Sequence, residues 1–288
     1  MRFHILSIML LLCSTSAVSQ WGPRHFQKAP AENYELKTSD GRSVMIIDAA
    51  NGARITSLKY DTPEVLSQSQ APNTYGSTFW TSPQKEWKWP PIQEHDMGAY
   101  TVMQERGKIV MTSPLSERLP MRITKTFQLS SDKHGFQITY ALKNEGKEAR
   151  SVAPWEVTRV PGRGTVACLC KVEDIWPKGL MDFRQQGEEA QFDIDKKDRQ
   201  RKVNANGTGY LRYINPEGVI LTKCFPDLKE GQAAPEEDEI QVYVHQDAQY
   251  CEIESQGPYT LLQPGESMEW TVVWYLEQAS PNSKAKRK

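Results

Sequence analysis

Helical periodicity is almost missing from this sequence. No long window repeats apolar residues at three- and four-residue spacing, so neither a helical bundle nor a fold of alternating helices and strands is indicated. An excess of charge of either sign is missing too. Lys and Arg number 35, Asp and Glu 36, for a net charge of −1, and the two signs are interspersed. A nucleic-acid surface needs a basic face. The basic run at 284–288 reads instead as a solvated end, or as a contact for an anionic surface. Beyond the N-terminal segment, no apolar run is long enough to span a bilayer as a helix, so no integral membrane segment is expected in the mature chain. Nor does an internal repeat or a shift in composition mark a domain boundary.

The start of the chain has the pattern of an export signal. Arg2 supplies a positive charge, residues 5–12 form a short apolar run, and Ala17-Val18-Ser19 supplies the small residues before a cleavage point at Gln20. Residues 1–19 are thus expected to be a signal peptide. About 269 residues then remain, read as a single domain over 20–288 with a disordered basic tail from about 279. The expected destination is the periplasm or the extracellular space. Anchoring through a lipidated Cys13 is the weaker alternative, because Leu12 stands where a small residue is required.

Cysteine is scarce, and four remain after cleavage: Cys168, Cys170, Cys224 and Cys251. Cys168 and Cys170 lie two apart on an expected strand, so they point to one face and do not easily bond to each other. Either can reach Cys224 or Cys251. The spacing is not of the Cys-x-x-Cys type, and buried thiols or one disulfide fit it better than a metal site. No metal and no cofactor is expected.

What the chain has in abundance is short alternation divided by Gly, Pro, Asn and Asp. Strands are predicted around Ile46 and Ile47 and around Ile55 and Leu58, with Asn51-Gly52 turning between them. Others follow at 108–112, 121–129, 136–142, 151–157, 165–170, 210–214, 219–223, 240–245, 250–256 and 268–276. In 121–129, Met121, Ile123, Phe127 and Leu129 share one face. So many closely spaced strands predict an all-β antiparallel sandwich or barrel. Residues 182–205 and 229–239 are polar and poorly patterned, and read as surface excursions.

Two strands carry a polar face. In 250–256, Glu252, Glu254 and Gln256 oppose Cys251, Ile253 and Ser255; in 240–245, Gln241, Tyr243 and His245 oppose Ile240, Val242 and Val244. Such faces are either ordinary solvated surface or the lining of a groove for a polar ligand. Residues 75–91 hold Phe79, Trp80, Gln84, Trp87 and Trp89 among several prolines. They read as a loop whose rings either cover the end of the core or contact a ligand.

These residues resemble the aldose 1-epimerase, or galactose mutarotase-like, superfamily. Cys251-Glu252-Ile253-Glu254-Ser255-Gln256 is similar to its strand ending in Glu-Thr-Gln, Leu261-Leu262-Gln263-Pro264-Gly265-Glu266 to its Leu-x-Pro-Gly-Glu turn, and Asn51 to Leu58 to its opening hairpin. The resemblance implies a large antiparallel β-sandwich, a mono- or oligosaccharide ligand, and Glu254 as the base of an anomer exchange. The Trp-rich Ser-Pro-Gln segment resembles an exported branch of that superfamily.

The stretch that corresponds to the family's acid-bearing histidine motif, Ser151 to Arg159, contains no histidine. Glu156 is the candidate acid there if its surroundings raise its pKa, and His95 a replacement from elsewhere. Trp80, Gln84, Trp87, Trp89, Trp155, Arg159, His245 and Gln256 are the candidate sugar contacts. Trp155 is otherwise a core residue, and Glu156 and Arg159 otherwise a surface pair. Two functions stand against each other: a mutarotase- or epimerase-like enzyme, and a non-catalytic carbohydrate-binding protein on the same fold.

Overall fold

Alternating burial along extended segments sets the architecture. In Met121–Leu129 every second residue is buried through Phe127, as a strand with one face on a core requires. The computed structural model describes residues 33–69 and 74–279. The expected signal peptide, Cys13 and the basic run 284–288 lie outside the described residues.

Two large antiparallel sheets pack face to face. The first runs in the order β1 (Asn33–Lys37), β2 (Ser43–Asp48), β3 (Arg54–Tyr60), β4 (Ser77–Ser82), β9 (Arg150–Pro161), β17 (Tyr250–Gln256), β16 (Ile240–Val244) and β13 (Arg201–Ala205), and β18 (Thr260–Leu262) also pairs with β9. The second runs β11 (Arg184–Gln186), β12 (Glu189–Asp193), β10 (Thr165–Cys168), β14 (Tyr210–Ile214), β15 (Val219–Cys224), β19 (Ser267–Gln278), β8 (Gly135–Asn144), β7 (Met121–Leu129), β6 (Lys108–Thr112) and β5 (Thr101–Glu105). This is the expected β-sandwich. Among the described residues, no helix is long and apolar enough to cross a membrane.

Two expectations fail. Residues 77–82 were expected to be loop, yet they form β4, between β3 and β9. Proline excludes a central strand only where it occurs, and the first proline of that stretch, Pro83, follows the strand. Residues 182–205 are not a bare excursion either, since β11, β12 and β13 lie in them. Their pattern is hard to read because β11 is exposed throughout and β13 is buried at four of its five positions, on both faces.

The space between the sheets is apolar, with Phe79, Phe127, Phe136, Tyr213 and Trp274 fully buried. Each such ring contributes about 1.5–3 kcal/mol through burial. Charged groups cross this core at two places. Lys223 of β15 reaches Glu156 of β9 at 2.8 Å, with both side chains wholly buried. Tyr140 and Trp274 also donate to that carboxylate, at 2.6 and 3.2 Å. Lys125 of β7 donates to the carbonyls of Gly52 and Ala53 at 2.6 and 3.3 Å, tying the second sheet to the turn between β2 and β3. Burial pushes the Lys125 ammonium down to about 7.

Candidate functional site

The outer face of the first sheet holds the candidate site. Register alone aligns its rows. Trp80 stands beside Trp155, which stands beside Gln256. One step along, Thr78, Val157, Glu254, Gln241 and Asn204 form the next row, and Arg159, Glu252, Tyr243 and Lys202 the one after. Partners across an antiparallel ladder share a face, so the polar sides of β16 and β17 merge with the aromatic side of β4 and β9.

That face is not open to water. All seven residues of β17 are buried, and Glu254 is 0% exposed. A solvated outer face is therefore excluded for this strand. Glu254 Oε2 accepts a hydrogen bond from Trp155 Nε1 at 2.8 Å and another from Lys202 Nζ at 3.0 Å. The Lys202 ammonium also sits 4.7 Å from the centre of the Trp155 ring. Its side chain is 36% exposed while that of Glu254 is wholly buried, so the pair links the buried carboxylate to the solvent edge. Glu252 pairs with Arg159 at 2.8 Å. Burial pushes the Glu252 carboxyl up, and the Arg159 charge opposes that shift.

Three oxygens in these rows have no hydrogen-bond partner among the described residues: Glu254 Oε1, Gln241 Oε1 and Gln256 Oε1. Buried acceptors without donors are rare, because each costs about 1–3 kcal/mol. Three on one face, in adjacent rows, match a ligand that brings several O–H donors.

The aromatic wall is continuous with this cluster. Trp80 meets Trp155 edge to face at 5.2 Å, Trp87 at 5.9 Å and Trp89 at 6.2 Å. Its indole N–H donates to Asp96 Oδ1 at 2.9 Å, where Thr78 also donates and Arg54 pairs at 3.4 Å. Asp96 closes the short helix α1 (Gln93–Asp96) and fixes the ring from below. Trp87 is buried, its Nε1 donating to Thr81 O at 2.7 Å. Trp89 is 68% exposed and presents its ring to solvent.

The residues singled out from the sequence therefore separate. Glu254, Trp155, Gln256, Trp80 and Arg159 come together, with Trp87 and Trp89 beyond Trp80. Gln84 joins through its backbone, whose N–H donates to Glu237 Oε1 at 3.3 Å. Glu156 does not join. It points into the core, bound to Lys223 as described, because neighbours on a strand face opposite ways and Trp155 already takes the outer face. His95 is buried with Nε2 2.9 Å from Met121 O, and burial pushes its pKa down to about 4. It lies behind Trp80 and Trp87 rather than against Glu254. His245 stacks on Tyr250 at 4.8 Å, at the far end of β16.

Three participants were missed in the sequence: Lys202, Asp96 and Glu237. Glu237 comes from the polar excursion 229–239 and gathers donors from Ser82, Gln256 and Gln241 as well as Gln84. Its neighbour Glu239 is anchored separately, accepting from Gly207 N at 3.0 Å and Leu228 N at 2.7 Å. No pattern signals these residues, because each arrives from a segment distant in sequence.

The fold is a galactose mutarotase-like β-sandwich. No family model matches the chain, and a search of curated protein sequences finds no match. Solved structures do match. The chain is similar to a putative aldose 1-epimerase from Escherichia coli K12 (TM-score 0.63, 13% identity, covering 86% of this chain and 99% of that one). It is similar also to a galactose mutarotase-like protein from Lactobacillus casei (TM-score 0.60, 13% identity, 85% and 100%). A third match is the GalM/aldose epimerase homologue from C. elegans (TM-score 0.56, 10% identity, 87% and 100%). At these identities the likeness is one of fold.

Proposed function

We propose that this chain is an exported carbohydrate-active protein that binds a sugar on the outer face of the first sheet and exchanges its anomers with Glu254 as base. One observation carries the reading: a buried carboxylate with one oxygen fixed by Trp155 and Lys202 and the other free to accept. Anomer exchange needs a base to take the C1 hydroxyl proton and an acid to protonate the ring oxygen. The ring then opens, the aldehyde rotates, and closure reverses both transfers. Both oxygens are bonded to C1, so base and acid must stand close together. Lys202, in contact with Glu254, meets that requirement. Gln241 and Gln256 accept from other hydroxyls, and Trp89 offers a flat face to ring C–H groups.

A second reading is a binding protein without catalysis. It is favoured by the two displaced acids: His95 is held by Met121 O, and Glu156 lies behind the sheet. NMR exchange spectroscopy on a panel of hexoses, uronic acids and deoxysugars separates the two. The enzyme reading expects accelerated exchange, abolished in Glu254→Gln and lowered roughly 100-fold or more in Lys202→Met. Binding with exchange at the buffer rate supports the second reading, and no binding across the panel overturns both. Export rests on the pattern of residues 1–19. N-terminal sequencing of the secreted protein should begin at Gln20.

A further inference from the structure

A cavity bordering the second sheet has no part in the sugar reading. It encloses about 860 Å³, within the usual range for small-molecule sites. Cys170, Lys171, Glu173, Gln185, Glu188 and Thr208 are among its lining residues. Cys170 stands at its wall with Cys168 directly behind. Strand β10 ends at Cys168, which is fully buried between partners Ala190 on β12 and Leu211 on β14. The chain then bends, and the Cys170 N–H donates back to Cys168 O at 3.0 Å.

That three-residue turn changes the sulfur geometry. Had the strand continued, the two Cα atoms would lie about 6.6 Å apart, near the outer limit for a disulfide. The turn draws them closer, and the sulfurs sit 3.1 Å apart. The expectation that these two cysteines do not easily bond to each other assumed an unbroken strand through Cys170, and the strand stops two residues short of it.

We propose that Cys168 and Cys170 form a thiol–disulfide exchange site that takes a low-molecular-weight disulfide from this cavity. The division of labour follows from exposure, with Cys170 partly accessible and Cys168 buried. Cys170 thiolate attacks one sulfur of the incoming disulfide R–S–S–R, forming a mixed disulfide and releasing one thiolate, which takes up a proton as RSH. Cys168 loses its proton and attacks the Cys170 sulfur. The protein disulfide forms and the second RSH leaves, so one disulfide is reduced for each protein dithiol oxidised. The hydrogen bond between the thiols lowers the Cys170 pKa and raises that of Cys168, where burial adds to the rise. This agrees with the order of attack.

Glutathione disulfide is the probe. The reduced full-length protein is incubated with it, free thiols are alkylated, and peptides are mapped by mass spectrometry. The wild type is expected to lose both thiols of the peptide carrying Cys168 and Cys170 while keeping no glutathione there. Cys168→Ser should retain one glutathione on Cys170. Loss of the Cys170 thiol should outpace that of the part-buried Cys224 by about tenfold or more. In Cys170→Ser, Cys168 should stay reduced. The proposal is overturned if wild-type Cys170 keeps glutathione beside a free Cys168, if Cys170 reacts no faster than Cys224, or if either cysteine pairs instead with Cys224 or Cys251. The wild-type comparison stands even if a serine variant does not fold.

Discussion

Trp155 and Glu254, 99 residues apart in sequence, meet on adjacent strands with the indole N–H 2.8 Å from the carboxylate. A tryptophan that packs in the core and one that touches the site were alternatives in the sequence. Here the ring lies on the outer face of the first sheet, buried yet beside Glu254. It is buried, it abuts Trp80, and its one polar atom is spent on Glu254.

Trp89 separates ligand contact from stability. Its ring is mostly exposed, so Trp89→Ala should change unfolding free energy by less than about 0.5 kcal/mol. Sugar affinity should fall roughly tenfold if the ring stacks on the ligand. Titration calorimetry together with urea unfolding reads the two effects apart, and unchanged affinity would remove Trp89 from the site.

Glu156 and Lys223 should behave as a pair. Lys223→Met leaves a buried carboxylate without its cation and is expected to cost about 3–5 kcal/mol in urea unfolding. Adding Glu156→Gln should recover much of that loss. Burial lowers the Lys223 pKa and Glu156 opposes the shift, so in Glu156→Gln the lysine should titrate lower still. If the double variant is as unstable as the single, the pair is not the source of the loss.

His95 should make stability depend on acid. Its folded pKa of about 4 lies below its ordinary value of 6.5, because burial disfavours the imidazolium. The unfolded chain then binds more protons between those values, so stability falls as the pH drops from 6.5 towards 4. His95→Asn should flatten that part of the profile relative to wild type. Urea midpoints at half-unit pH steps are the measurement, and parallel profiles would argue against the assignment.

Gly52 links the fold to the site. It has a positive φ of 69°, and an added Cβ would come within 2.0 Å of Asp96 O. Gly52→Ala should therefore destabilise the protein by about 2 kcal/mol or more and shift Asp96 beneath Trp80. A change in tryptophan fluorescence with the loss of stability is expected, and stability loss without it would separate the turn from the aromatic wall.

Much of the sandwich could be read from alternation, since 108–112, 121–129, 210–214 and 250–256 match observed strands end to end. The polar face of β17 was legible for the same reason. Its burial was not, because the covering residues Lys202 and Glu237 come from segments with no strand-like pattern of their own. Strand parity was also available for Trp155 and Glu156, and it forbids both from facing one ligand. β4 was hidden by the prolines that follow it, and Asp96 by a helix of a single turn.

Glu237 makes the cluster a composite of two kinds of backbone. Glu254, Gln256 and Trp155 are locked in register by the ladder, where a one-residue slip would invert every side chain. Glu237 arrives on a segment outside the ladder, whose length can change at a cost of only about 0.6 kcal/mol per doubling. Under the proposed function, selectivity for one sugar over another can therefore drift by insertion or deletion in 229–239 without moving the strand that carries Glu254.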